Sequence, residues 1–364
     1  MDPTTSALQR LTHRVLEARD GKFALNIRGG STKHFYGNPP RGATLDVRGL
    51  SGIISYEPTE LVITVLAGTP LAEVQEVLAA RGQCLPFEPP HFGPSGTLGG
   101  MVAAGIAGPA RASVGPLRDY VLGVTMLNGM GELLTFGGQV MKNVAGYDVS
   151  RVIAGSMGIL GVICEVSLKV MPTLPACNTR YLDIDEAAAL RQLNRWAGEG
   201  LAVTASSWHQ GRLHVRLGGA IAAVDRCQRQ VGGREIAPQD AAGWWSDIRD
   251  HRHEFFALTD SELQRGQCLW RLSVPDTAQP IAFLGEPFIE WGGAQRWYRS
   301  TAPAAQIRSA ASAVGGHATL VRAADKSPGA FTALTQPLMQ VHRRLKQSFD
   351  PAGIFNPGRL YAEL

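Results

Sequence analysis

Apolar and polar positions along the chain divide it into a first half of short strands and a second half in which strands and helices alternate. The opening segment places Leu8, Leu11, Val15 and Leu16 on one face, the spacing of an amphipathic helix. Runs rich in β-branched residues follow at 23–28 (FALNIR), 43–47 (ATLDV) and 61–68 (LVITVLAG) and read as strands. Residues 69–82 return to the helical period. Leu71, Val74, Val77 and Leu78 form the stripe, with Thr69 as N-cap, Pro70 at the first helical position and Gly82 as the stop. Residues 120–136 predict a hairpin turned at Asn128-Gly129, and 161–172 a strand that ends at a proline.

From about residue 175 the texture changes. Tryptophans gather at 208, 244, 245, 270, 291 and 297, and strand-like pieces at 213–217 (LHVRL) and 269–274 (LWRLSV) alternate with helical ones. This pattern predicts a second α+β unit. A last helix has Leu338, Val341, Leu345 and Phe349 on one side, and DPAGIFNPGRL follows it. No internal repeat and no low-complexity linker interrupts the chain.

Glycine is the feature that patterning leaves unexplained. The stretch GPSGTLGGMVAAGIAG (93–108) holds six glycines, and further glycine loops occur at Gly29-Gly30 with Gly37, at Gly137-Gly138 and at 155–161 (GSMGILG). A dinucleotide fold needs G-x-G-x-x-G directly after its first strand, where RGGSTKHFYG stands instead. A phosphate-binding G-x-x-x-x-G-K-[ST] loop does not occur. Taken singly, each loop is explained by tight turns. Taken together, they suggest backbone N–H groups converging on an anion from several sides, with Ser31, Thr32, Ser95 and Thr97 as added donors. Two long loops and a third near residue 158 imply a long ligand lying extended.

Composition narrows the classes. Of the 364 residues 45% are hydrophobic and 18% charged, the balance of a folded protein. The net charge of +4 is not gathered into a lysine-rich run, which argues against a nucleic-acid partner. Cys84, Cys164, Cys177, Cys227 and Cys268 are scattered and never spaced as CxxC. They argue against a disulfide framework, a metal site or a resident iron–sulfur cluster, and read as buried, inert thiols. The N-terminus has no apolar signal region, and no stretch reaches the roughly 18 apolar residues of a membrane span, so a cytoplasmic chain is expected.

RGGSTKHFYG and PSGTLGG resemble the two pyrophosphate loops of the vanillyl-alcohol oxidase and p-cresol methylhydroxylase type of FAD-binding domain. Residues 115–172 and the tail FDPAGIFNPGRL (349–360) are similar to the α-hydroxy-acid dehydrogenase branch, most of all to FAD-binding subunits of bacterial glycolate oxidases. The resemblance implies an α+β architecture: a two-subdomain FAD-binding domain (1–174), an α+β cap or partner-binding domain (175–325), and a C-terminal return segment (326–364). FAD is the implied cofactor. Arg28, Gly29, Gly30, Ser31, Thr32 and Gly37 would wrap the diphosphate from one side, and Ser95, Gly96, Thr97, Gly99 and Gly100 from the other. Gly158, Gly161 and Val162 would approach the adenine or ribose end, and Asn356 the isoalloxazine. The implied reaction oxidises glycolate, a small 2-hydroxy acid. The implied partners are a larger homologous flavin subunit and an iron–sulfur subunit, through which the chain would meet the inner membrane peripherally. The tryptophan-rich unit is the expected partner surface, with a tryptophan-filled core as the competing reading.

The chain also departs from that branch. Catalytic members carry a histidine-rich motif with a nearby glutamate. The corresponding text, GGHATLVRAADK (315–326), offers His317 and Arg322 without a second histidine. His317 is the candidate base, and Arg271 and Arg322 are candidate carboxylate clamps. Arg271 stands in an apolar strand and needs an anion, either an internal carboxylate or a substrate's. The loop around His34 does not match a covalent-tethering pattern, so FAD is expected to bind noncovalently. The remaining alternatives are an FAD-carrying or scaffolding subunit without chemistry of its own, or a stand-alone sugar-acid or aldonolactone oxidase. Lys142-Asn143 with Gly146 to Asp148 reads as a flavin approach or as a turn with Asp148 capping a helix. His209, His214, His251 and His253 show no ligand spacing, and 247–256 (DIRDHRHEFF) reads as a solvated or partner-facing helix face rather than a metal site.

Overall fold

The structure, a computed structural model, describes residues 3–138 and 148–364. Lys142, Asn143, Gly146 and Tyr147 lie outside the described residues. Asp148 does cap the Val149–Ile153 helix, its side chain accepting from Arg151 N. The first half forms two packed units. In one, Leu25–Arg28 pairs in parallel with Ala43–Asp46, and the helix Pro3–Gly21 covers the pair through Ala7, Leu11, Val15 and Ala18. In the other, a five-stranded antiparallel sheet runs in the order Ile53–Glu57, Val62–Leu66, Val162–Lys169, Val121–Leu127, Leu133–Gly137. Val62–Leu66 is buried at all five positions, as a central strand between packed layers must be. The helices Leu71–Ala79 and Leu98–Ala104 share its core.

Thr69 does not cap the first of these helices. Pro70 occupies the N-cap position, while Thr69 Oγ1 donates to Leu66 O at 2.7 Å and accepts from Gly52 N at 2.9 Å, closing the strand end. The fixed φ of proline lets it stand at the helix boundary without a side-chain cap.

The second half is built on an eight-stranded antiparallel sheet, ordered Arg234–Ile236, Ala176–Asp183, Arg212–Gly219, Val203–His209, Phe288–Glu290, Gln295–Ser300, Cys268–Ser273, His317–Arg322. Trp270, Leu272, Tyr298 and Leu320 pack against the helix Ala304–Ala313 on one face. Leu269, Phe288, Trp297 and Val321 face the other way, toward Trp245, Ile248, Phe255 and Phe256. Trp208, Trp245, Trp270, Trp291 and Trp297 are all buried, and Trp244 stacks on His214 with ring centroids 3.9 Å apart. The tryptophans therefore fill the core of this unit instead of forming a partner surface. Residues 247–256 are not a solvated helix face either. The helix Pro238–Arg249 ends there, and Asp250, Phe255 and Phe256 turn inward. Of the cysteines, Cys164 and Cys227 are buried, and burial pushes the Cys164 thiol up to about 12, but Cys177 is exposed.

The C-terminal helix Gln336–Phe349 sits rotated from the expected stripe. Leu338 and Val341 are 50% and 59% exposed, and the inward face carries Met339, Lys346 and Phe349. A lysine holds a core position because the tail supplies its partners. Lys346 Nζ donates to Asp350 Oδ2 at 2.7 Å, to Ile159 O at 2.8 Å and to Phe355 O at 2.9 Å. The Asp350 carboxylate also accepts from Ile354 N and Phe355 N. This knot sets Phe355 beside Leu25, where Leu25 N donates to Ile354 O and Asn356 N to Leu25 O, so the tail lies against the first strand. Asp350→Ala leaves the Lys346 ammonium buried without its counter-charge. It should lower unfolding stability by about 3–5 kcal/mol, measured by urea denaturation.

Candidate functional site

A cavity lies in the seam between the two units of the first half and encloses about 800 Å³ of atom-free space, solvent included. Asn26, Ile27 and Arg28 line it from the first strand, Gly29 to His34 from the loop that follows, and Thr97, Gly99, Gly100, Ala103 and Ala104 from the second glycine stretch. Met157, Gly158, Gly161 and Ile163 form a third wall, and Asn356 and Arg359 reach it from the tail.

The two glycine loops touch. Ser95 Oγ donates to Gly30 O at 2.7 Å, and a Cβ on Gly30 would collide with the Ser95 carbonyl. Among the described residues, no backbone N–H from Gly29 to Lys33 has an acceptor. Five consecutive unpaired donors beside a cavity are what an anion-binding nest requires.

Charge points the same way. No Asp or Glu lines the cavity, whereas Arg28, Lys33, His34 and Arg359 do. Arg28 donates to Ser31 Oγ through Nε at 3.1 Å and Nη2 at 3.0 Å. Burial pushes Lys33 down to about 8 and Arg359 down to about 10. Burial, with Arg28 and Arg359 beyond it, also lowers His34, so its imidazole is neutral at pH 7. Asp250 offsets Lys33 only partly and Arg359 is held by backbone carbonyls, so the cavity keeps an excess of positive charge that favours an anionic ligand.

The residues expected around the diphosphate divide into several groups. Arg28, Gly29, Gly30, Ser31, Thr32, Thr97, Gly99, Gly100, Gly158, Gly161 and Asn356 come together at the cavity. Gly37, Ser95, Gly96 and Val162 are not part of its lining. Ser95 braces the first loop from outside. Gly37 has φ +81° and gives its carbonyl to Lys326, and Val162 is fully buried in the core beneath the first strand. Gly99 lines the wall, but its N–H is engaged by Ala67 O at 2.7 Å. Its lack of a side chain serves strand contact, since a Cβ would lie 2.6 Å from Ala67 Cβ. Asn356 is a wall builder: Oδ1 accepts from Ile27 N at 2.8 Å and Nδ2 donates to Met157 O at 2.7 Å. Gly158, at φ +73°, leaves room for that amide. Lys33, Met157 and Arg359 were not foreseen as lining residues. Lys33 sits inside the quoted loop and Arg359 inside NPGRL, so their positions in those motifs were the available signal.

The second-half sheet faces this region with further cations. Arg271 Nη2 donates to Tyr36 OH at 2.9 Å, while its Nε is buried without an acceptor. Among the described residues no carboxylate forms a direct salt bridge with Arg271, but the Glu290 carboxylate is close enough to feel its charge, so the internal-carboxylate reading survives in weakened form. Arg322 stacks over Phe35 at 4.0 Å, again with Nε buried and unpartnered. Arg271 lies opposite Thr319, and Ser273 opposite His317, so His317 and Arg271 share one sheet face two residues apart in register. His317 is exposed at the strand start, and burial of its ring followed by repulsion from Arg271 lowers its proton affinity. Glu290, absent from the sequence reading, lies on the same face. Its carboxylate accepts from Trp297 Nε1 at 2.6 Å and Gln295 Nε2 at 2.9 Å, and burial raises it to about 7. Among the described residues no three His, Cys, Asp or Glu side chains gather as a metal site.

A cation-lined cavity at two touching glycine loops, between two α+β units and faced by an antiparallel sheet, fits the class of FAD-linked oxidases. The family model "FAD binding domain" matches residues 8–137, and "FAD linked oxidases, C-terminal domain" matches 324–360. The chain is 44% identical over 356 residues to glycolate oxidase subunit GlcE of Escherichia coli (strain K12), with 98% of each chain covered. It belongs to that family, and FAD is its cofactor. Glycolate oxidase subunit GlcD of Bacillus subtilis (strain 168) is 30% identical over 166 residues, 44% of this chain and 35% of that one. The solved structure of an alkyldihydroxyacetonephosphate synthase has the same fold, with a TM-score of 0.66 at 16% identity, over 97% of this chain and 76% of that one.

Gly30→Val tests the nest directly. The collision with Ser95 should separate the loops and weaken FAD binding at least about tenfold, while the unfolding transition of the apoprotein stays cooperative. Equilibrium dialysis against FAD measures the first effect and thermal melting the second.

Proposed function

We propose that the chain is the FAD-binding subunit of a complex that oxidises glycolate, or a close small 2-hydroxy acid, to the 2-oxo acid. The five unpaired N–H groups in a carboxylate-free, cationic cavity carry this reading at the cofactor. The family relationship carries it at the reaction. Arg28, the loop Gly29 to Lys33, Thr97, Gly100 and Arg359 would hold the diphosphate, with Met157, Gly158 and Gly161 along the rest of the nucleotide. When bound, FAD supplies the acceptor for the two electrons and the α-hydrogen of the hydroxy acid.

The chain's own residues have three tasks. Arg271 and Arg322 would grip the substrate carboxylate, a role supported by the buried, acceptor-less Nε–H that each presents near the first loop. His317 would take the hydroxyl proton on a ring nitrogen. Its lowered proton affinity keeps it neutral, and therefore able to accept, at pH 7. Tyr36, Phe35 and the sheet face exclude water between them. A larger homologous flavin subunit and an iron–sulfur subunit would receive the electrons. Among the described residues no helix is long and apolar enough to cross a membrane, so membrane contact would run through those partners.

A second reading, an FAD-carrying subunit with the chemistry on the homologous partner, is favoured by one observation: Arg271 already engages Tyr36 OH in this structure. Turnover of glycolate with a dye acceptor, by the chain alone and by the co-expressed complex, separates the two. In the active form, Arg271→Lys should raise the KM for glycolate about tenfold through loss of the planar fork. The acid limb of kcat/KM should fall below pH 6.5, because a base with a lowered pKa stays competent until the pH falls through that lower value. His317→Gln should abolish the limb along with most of the rate. An unchanged profile in that variant moves the chemistry off this chain. FAD should also be noncovalent, and acid precipitation should release the flavin into the supernatant.

A further inference from the structure

We propose that Lys326 is a positioning residue for the cofactor loop, fixing the exit of the nest while itself lying outside the cavity. The proposal rests on the assignment of that nest to the FAD diphosphate. The loop's entry is held by the strand Leu25–Arg28, whose last carbonyl accepts from Val47 N at 2.9 Å. Its exit has no such ladder. There the carbonyls of residues 33–38 turn toward two cations. Lys326 Nζ donates to Phe35 O, to Gly37 O at 3.0 Å and to Val321 O at 3.0 Å. Arg359 takes the carbonyls of Lys33, His34 and Asn38. An ammonium carries three donors and no acceptor, so a site of three converging carbonyls satisfies it completely. Holding both ends of a short loop leaves little conformational freedom to lose on ligand binding, which is how a preorganised site gains affinity.

Two further observations separate this role from ordinary packing. Among the described residues Lys326 has no carboxylate partner; the charges that face it are Arg359 and Arg322, with the Cys268 thiol beside it, while Asp325 on its own segment bonds Ser327. No neutral side chain carries three donors to meet those three carbonyls, so the cation is used to fix the loop in spite of its desolvation. Val321 also belongs to the strand His317–Arg322. One ammonium thus joins the nucleotide loop to the strand that carries both substrate-side candidates, and order at either end is felt at the other.

The test is titration of FAD into the apoprotein, followed by flavin fluorescence at pH 7. Lys326→Met should raise the Kd about tenfold or more, since charged hydrogen bonds to the loop are lost. Lys326→Arg, which keeps the charge and donors but not the compact ammonium shape, should bind FAD more tightly than Lys326→Met. A second measurement stands even if the Met variant folds poorly. Burial lowers Lys326 to about 8, so raising the pH to about 9.5 removes its proton in the wild type but leaves an arginine charged. Wild type should then lose affinity relative to Lys326→Arg, and Lys33, present in both proteins, cancels in the comparison. Normal FAD uptake by Lys326→Met, or parallel pH curves for wild type and Lys326→Arg, overturns the proposal alone. A wild-type chain that takes up no FAD overturns the diphosphate assignment and the proposal with it.

Discussion

Backbone donors without acceptors, set among cations without carboxylates, are the constraint on which the structure depends. A peptide N–H that a ligand closes off from water must find its acceptor there or cost on the order of 1–3 kcal/mol, and the half-buried run from Gly29 to Lys33 presents five such donors in succession. Nothing local repays that cost. The loop survives because elements distant in sequence brace it: Ser95 from the second glycine stretch, Arg359 from the tail, Lys326 from beyond the eight-stranded sheet. The apolar clusters under each unit supply the stability that such an arrangement consumes.

The seam between the first and second halves combines aromatic packing, Phe35 and Phe92 against the second half, with a set of directional polar contacts. Asp250 accepts from His91 N, Arg216 pairs with Glu88 at 2.7 Å, and Trp291 Nε1 donates to Gly108 O at 3.0 Å. Arg271 and Lys326 add their bonds to Tyr36, Phe35 and Gly37. Directional bonds of this kind fix orientation more than they add affinity. Such bonds hold the sheet face that carries Arg271, Arg322 and His317 in a fixed orientation toward the cavity.

Much of this was legible in the sequence. Strands such as Val62–Leu66 and Leu25–Arg28 follow from β-branched runs, and the convergence of the two glycine loops follows from the failure of every simpler glycine motif. The misreadings share a cause. Leu338 and Val341 looked buried and Lys346 exposed because periodicity weighs hydrophobicity, and only the tail could show that Asp350 and two carbonyls wait for that ammonium. Residues 247–256 looked solvated because Asp250 and the arginines beside it pair with one another, which a linear reading counts as free charge. Gly99 lines the cavity as expected but also packs on Ala67, because both needs select the same residue. Cross-chain partners decide each case.

The return of the tail has a consequence for how the molecule comes into being. Asn356 and Arg359 complete walls begun by Asn26 to His34, more than three hundred residues earlier. A nascent chain emerging from the ribosome has its first strand long before it has the segment that lies beside it. The cavity therefore cannot close until residues 356–359 have been made and have folded back against the first strand, so its assembly is a late, long-range event rather than a local one. A wall shared between the two ends of the sequence makes the cavity a reporter of the whole fold and not of either half.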